Sequence, residues 1–155
     1  MQMIEVKKIL NYTLVGIIIW LSIESLTIIV KQVVTFVLLQ IELNEVTIFY
    51  TTQLLILLSV FLFTRFILIK ILSWSNKSKS ILIRIIVIYI IFEVLKFASL
   101  LTTPILIGQT ELTSFRKFTE LNENSFFKMI QYINKYVRIV IVGLTIVMFN
   151  QKKKT

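Results

Sequence analysis

The chain contains no cysteine, no histidine and no aspartate, and these three absences remove much catalytic and metal-binding chemistry. Disulfides, thiol catalysis and Cys/His zinc sites are excluded. EF-hand calcium loops and phosphoryl transfer through an aspartate are excluded as well. A serine or threonine nucleophile would lack a histidine base. We therefore predict that the protein is not an enzyme and has no catalytic residue, no metal site and no cofactor.

Glycine and proline are also scarce, with three glycines and one proline in 155 residues. This scarcity argues against a glycine-rich phosphate-binding loop. It also argues against the interrupted helices that form the binding sites of many transporters. Because Gly16, Gly108 and Gly143 lie far apart, they do not form the small-residue seam of a GxxxG helix pair.

Long apolar runs are abundant, and they determine the predicted fold. Hydrophobic residues make up 57% of the chain, against about 45–50% in soluble domains. Each run is long enough to cross a bilayer, because about 20 residues at ~1.5 Å each span the ~30 Å hydrocarbon core. We predict an all-α, integral membrane four-helix bundle in a single membrane domain, residues 1–155, with spans at Ile9–Val30, Phe49–Leu72, Ile81–Ile107 and Tyr132–Phe149.

The ends of these blocks carry further helical signals. Apolar residues between Val30 and Ile41 recur on one helical face, so we expect the first helix to extend to residue 41, as a long tilted helix or a kinked interfacial segment. The polar connection Ser73–Ser80 is short, which predicts an antiparallel hairpin of the second and third helices. Asn124 or Ser125 is suited to cap a helix, so the fourth helix is expected to begin near residue 125.

The net charge of +9 comes from cations that lie mainly near the block ends. Such cations suit anionic lipid headgroups, so membrane lipid is the predicted partner and nucleic acid is not. One side of the membrane holds both termini and the basic hairpin, including Lys7, Lys77 and Lys152. The positive-inside rule therefore predicts cytoplasmic termini and a multi-pass protein of the cell (inner) membrane, with an organellar membrane as the alternative.

Four charged residues inside the blocks come out at similar depths. Counted from the cytoplasmic ends, Glu24 and Lys96 lie about 22 Å in, Glu93 about 18 Å and Arg138 about 16 Å. Such charges are costly in hydrocarbon and mark functional sites by default. They form either a transport layer or a neutral, paired network that fixes helix docking, and their balanced signs favour the network.

Two further basic features are candidate sites. Lys128, Gln131, Lys135 and Arg138 follow spacings of 3, 4 and 3 residues, which places them on one face of the fourth helix. This basic stripe would face a water-filled crevice, an acidic partner or anionic lipid, unless this part of the helix simply stands in water. Arg65, about 10 Å from the cytoplasmic end of the second helix, would either extend to the headgroups or pair with a partner's acid.

The overall layout resembles two groups of small four-span proteins with cytoplasmic termini. These are the phosphate-starvation-inducible E family and the membrane immunity proteins that block pore-forming bacteriocins. The shared features are length, four spans and the short basic hairpin at Ser73–Ser80. A proline expected at the start of the third helix in the first group is absent here, and no residue roles carry over.

Four helices enclose little space, so one copy is not expected to form a pore. The leading functional prediction is a non-enzymatic protein that acts by association, as an accessory subunit or an inhibitor/immunity-type partner of a larger membrane protein complex. The alternative is a homo-oligomeric ion channel or carrier, lined by the intramembrane charges Glu24, Glu93, Lys96 and Arg138.

Overall fold

The computed structural model describes the backbone at residues 2–41, 43–72, 78–107 and 112–152, and side chains at 10–41, 43–69, 81–102, 115–146 and 148. Within these ranges all regular structure is helical, which confirms the predicted all-α class. The elements are α1 (Gln2–Gln40), α2 (Glu45–Phe66), a π-helical continuation of α2 (Ile67–Leu72), α3 (Ser78–Ile107), α4 (Leu112–Glu123) and α5 (Ser125–Lys152).

Three helices of the described chain are long and apolar enough to cross a membrane: Leu10–Gln40, Glu45–Ile69 and Ser125–Ile146. Large apolar side chains also remain on the outside of the helices, such as Leu54, Phe97 and Leu144, which are 67%, 63% and 58% exposed. Apolar surface of this kind marks a membrane or another binding partner. The protein is therefore membrane-embedded.

The predicted third span differs from the other three. Its residues form α3, but α3 is not among the three helices that qualify as spans. Within α3 lie Glu93 and Lys96, which interrupt the apolar run. The hairpin connection predicted at Ser73–Ser80 falls largely outside the described residues, at 73–77, as do Glu42 and Lys153.

Two asparagines cap the N-terminal ends of α2 and α5. Asn44 accepts a 2.9 Å hydrogen bond at Oδ1 from the Val46 backbone N–H, ahead of α2. Asn124 does the same for the Phe126 N–H at 2.9 Å, ahead of α5. Each bond satisfies one of the N–H groups that a helix start leaves without an intrahelical partner. The start of α5 is thus set where the sequence predicts it.

The four longest helices pack mainly in the order α3, α1, α2, α5. α1 lies between α3 and α2, while α5 packs principally on α2. A core of buried apolar residues joins α1, α2 with its π-helical continuation, and α3. Its members are Val15, Ile23, Val60, Phe63, Ile67 and Ile85. Because α5 rests on α2, a space is left where α5 approaches α1.

A second buried cluster holds the amphipathic helix α4 in place. Ile48, Phe49 and Phe118 are at most 6% exposed, and Phe127 meets Phe49 edge to face with 4.8 Å between ring centroids. Edge-to-face aromatic pairs contribute about 0.5–1.5 kcal/mol beyond their burial. α4 therefore packs against the start of α2 and the first turns of α5, next to the space between α5 and α1.

Candidate functional site

Glu93 and Lys96 of α3 form an ion pair, with 2.5 Å between Lys96 Nζ and Glu93 Oε2. The other carboxylate oxygen, Oε1, accepts a hydrogen bond from the Ser25 hydroxyl of α1. The Ser25 residue is buried, at 2% exposure. The pair therefore lies within α3, as i, i+3 neighbours on a helix allow. The Ser25 hydroxyl links this pair to α1.

Arg138 of α5 reaches α1 at two residues. Its Nη1 donates a 2.9 Å hydrogen bond to the Thr27 hydroxyl and lies 3.5 Å from Glu24 Oε2. Arg138 is buried, while the Glu24 side chain is 34% exposed. Charged residues inside membrane helices are normally paired, so this contact accounts for an arginine in the middle of α5.

The charges that the sequence places at one depth thus form two separate pairs, not one cluster. Their anchors, Glu24 and Ser25, are consecutive on α1, and consecutive helical residues point about 100° apart. Ser25 therefore faces the pair on α3, and Glu24 faces Arg138 on α5. Each pair is neutral, and α1 links the two.

The predicted basic stripe of α5 lines a cavity of about 350 Å³. Lys128, Gln131, Lys135 and Arg138 all contribute to it, joined on α5 by Tyr132 and Asn134. The opposite walls come from α1 and α2, through Thr27, Lys31, Gln53 and Ile56. We call this space between α1, α2 and α5 the basic cavity.

Amide side chains hold the walls of the basic cavity in place. Asn134 Nδ2 donates a hydrogen bond to the side-chain oxygen of Gln53, which joins α5 to α2. Gln131 Nε2 donates a 2.8 Å hydrogen bond to Asn122 Oδ1, which joins α5 to the end of α4. These bonds keep two polar side chains at fixed positions beside the cations.

The charge in the basic cavity is strongly one-sided. Lys31, Lys128, Lys135 and Arg138 line it, and none of its described lining residues is acidic. Lys128 and Lys135 are exposed, Lys31 is half-buried and Arg138 is buried. The cavity therefore runs from an open, wet mouth to a covered inner end, where Glu24 offsets the charge of Arg138 alone.

Some buried polar atoms near the cavity have no hydrogen-bond partner within the described part of the chain. They include Arg138 Nε and Asn134 Oδ1, both of which belong to cavity-lining residues. Buried polar groups are normally satisfied by protein or water. These two atoms add polar character to the inner walls of the cavity.

The remaining predicted site residue, Arg65, is exposed near the end of α2. The structure describes no ion pair for it, and it lies apart from both charge pairs and from the lining of the basic cavity. Across the described residues, no group of three or more acidic side chains, histidines or cysteines could hold a metal ion.

Sequence reasoning missed the α1 and α2 walls of the basic cavity. It named none of Lys31, Gln53 and Asn134 as a site residue. The available signal was an isolated amide inside each of two apolar blocks, since a polar side chain in hydrocarbon needs a partner. Their pairing depends on the rotation of two helices, which one sequence does not specify.

The chain was compared with models of known families, with curated proteins and with solved structures, and no match was found in any of the three.

Proposed function

We propose that the protein is a four-span, multi-pass protein of the cell (inner) membrane, with both termini in the cytoplasm, that acts by association and not as an enzyme. α3 serves as the fourth span in this proposal. Its two internal charges neutralise each other, which lowers the cost of placing them in hydrocarbon. Its packing against α1, itself long and apolar enough to cross, supports the same assignment.

The observation that carries the proposal is the internal pairing of the four intramembrane charges. Glu93 pairs with Lys96, and Glu24 with Arg138, on different sides of α1. Ion conduction through the chain would need a row of unpaired charges, whereas the four intramembrane charges are all paired. The function that fits is binding to a larger membrane protein complex, as an accessory subunit or inhibitor/immunity-type partner.

Chemical crosslinking in native membranes tests this proposal, followed by purification in mild detergent and mass measurement of the intact complex. We expect a species heavier than one 18.2 kDa chain, with a second protein crosslinked to it. Recovery of monomers alone, with no crosslinked neighbour, would contradict association.

The second candidate is a homo-oligomeric channel or carrier with a polar intramembrane layer. The observation in its favour is the basic cavity, which extends to the buried Arg138. Liposome flux assays should then respond to Glu24→Gln and Glu93→Gln. The matched control is Glu120→Gln, on an exposed glutamate of α4. Equal flux in all three variants and the unmodified protein would rule out this layer as a conduit.

A further inference from the structure

The basic cavity holds more positive charge than the chain itself neutralises. Four cations line it, and Glu24 lies beside only one of them, with 3.5 Å between its Oε2 and Arg138 Nη1. Three positive charges therefore remain without an acidic partner among the described residues. Like charges that converge on a partly covered space repel one another more strongly than they would in bulk water. An anion in that space would remove this repulsion.

The ligands around the cavity are suited to an anion with several oxygen atoms. Lysine and arginine provide charged donors that bind phosphate oxygens strongly. The Gln131 amide and the Tyr132 hydroxyl add neutral donors on the same helix. Arg138 also lines the cavity, at its covered inner end. A single carboxylate would engage fewer of these groups than a phosphate does.

The size and position of the cavity fit a phosphate-bearing group and exceed what a single small ion needs. Its volume of about 350 Å³ lies at the lower end of the ~300–1,000 Å³ typical of small-molecule sites. Lys128 and Arg138 are ten residues apart, so the cationic wall descends about 15 Å along α5. Ile56 supplies apolar surface on α2, and Tyr132, 68% exposed, stands at the mouth.

We propose that the basic cavity is a binding site for a phosphate-bearing anion, which is either a phospholipid headgroup or a water-soluble phosphate. This site does not depend on the protein acting by association. The exposed cations Lys128 and Lys135 attract the anion at the mouth, and the covered Lys31 and Arg138 hold it at the inner end. Thr27, already bonded to Arg138 at 2.9 Å, orients the guanidinium towards the ligand.

Thermal unfolding of the full chain in nonionic detergent, combined with native mass spectrometry, tests the site. One arm adds phosphatidylglycerol, a second adds the zwitterionic phosphatidylcholine, and a third adds inorganic phosphate. We expect a raised Tm and a bound mass with phosphatidylglycerol if the source is lipid, or with inorganic phosphate if it is soluble. Phosphatidylcholine should have little effect, because its headgroup carries no net charge.

The test variant is Lys128→Gln/Lys135→Gln, and its matched control is Arg84→Gln/Lys117→Gln. All four residues are exposed, so both variants should fold, and both lower the net charge by two. The cavity variant should weaken anion binding at least about tenfold, given the strength of charged hydrogen bonds. The control should change it less than about twofold, since exposed and distant charges are screened.

Three outcomes would overturn the proposal. One is the absence of any anion effect on the unmodified protein. Another is an equal loss of binding in the cavity and control variants, which would indicate general attraction to a basic surface. The third is a cavity variant that releases a co-purified protein while no lipid or phosphate binds in any arm, because the occupant would then be an acidic protein segment.

Discussion

Arg138 of α5 and Glu24 of α1 lie with 3.5 Å between Nη1 and Oε2, and this contact joins two helices that otherwise pack mainly against other neighbours. α1 packs chiefly on α3 and α2, and α5 on α2. Among the described residues, the ion pair and the Arg138–Thr27 hydrogen bond are therefore polar connections between α5 and α1.

Replacing Arg138 with methionine should lower the free energy of unfolding by about 1–3 kcal/mol, because Glu24 is left unpaired. The cost falls below that of a fully buried pair, since the Glu24 side chain is 34% exposed. Glu24→Gln in the same background should recover part of the loss. SDS titration in mixed micelles measures these two variants and Glu24→Gln alone. Single-variant effects that add to within about 0.3–0.5 kcal/mol would show that the two residues are not coupled.

Two buried serines on α1 separate interhelical from local hydrogen bonding. The Ser25 hydroxyl donates to Glu93 of α3, and its oxygen also lies 3.1 Å from the Leu21 carbonyl of its own helix. Ser22 donates to the Ile18 carbonyl of its own helix at 2.8 Å. We expect Ser25→Ala to cost about 1 kcal/mol of unfolding free energy, as interhelical hydrogen bonds in membranes do. The control Ser22→Ala should cost less than about 0.5 kcal/mol. Similar losses in the same SDS titration would mean that the Glu93 bond adds nothing.

Phe49 is the central residue of the cluster that holds α4 in place. Its side chain is 1% exposed, and Phe49→Ala should lower the free energy of unfolding by about 3–5 kcal/mol through the cavity that it creates. Phe97→Ala removes the same ring from a site that is 63% exposed, and it should cost under about 1 kcal/mol. Proteolysis of α4 in detergent should rise with the first variant only. If α4 is equally protected from proteolysis in both variants, Phe49 does not hold α4 in place.

The proposed four-span topology can be tested directly, because the chain has no native cysteine. Single cysteines at Asn44, Lys79 and Lys117 precede α2, begin α3 and fall within α4, respectively. Membrane-impermeant maleimide on intact cells should label Asn44→Cys and Lys117→Cys from outside, and Lys79→Cys only after permeabilisation. If Lys117→Cys and Lys79→Cys are labelled under the same condition, both ends of α3 lie on one side of the membrane.

The features that follow from spacing along one helix could be predicted from the sequence. The Glu93–Lys96 pair, the start of α5 beside Asn124 and the common face of Lys128 and Lys135 are of this kind. Each depends on helical geometry alone, which fixes rise and angle per residue.

Features that depend on the relative rotation of two helices could not be predicted from the sequence. Glu24 and Arg138 could be placed at similar depth, but whether they face each other depends on how α1 and α5 pack. The same holds for Gln53 with Asn134, and for Lys31 across from the basic stripe. Side-chain packing, which one sequence does not display, selects these rotations.

The cations of α5 also have a consequence for how the protein is made. An arginine at the centre of a helix raises its cost of membrane insertion by about 2.5–3.5 kcal/mol, and α5 is the least apolar of the three helices that qualify as spans. Glu24 is synthesised long before Arg138, so α1 is in place to receive the guanidinium as α5 leaves the ribosome. We expect a reporter fused after α5 to show incomplete insertion when Glu24 is replaced with leucine. Membrane insertion of α5 would then depend on the earlier insertion of α1.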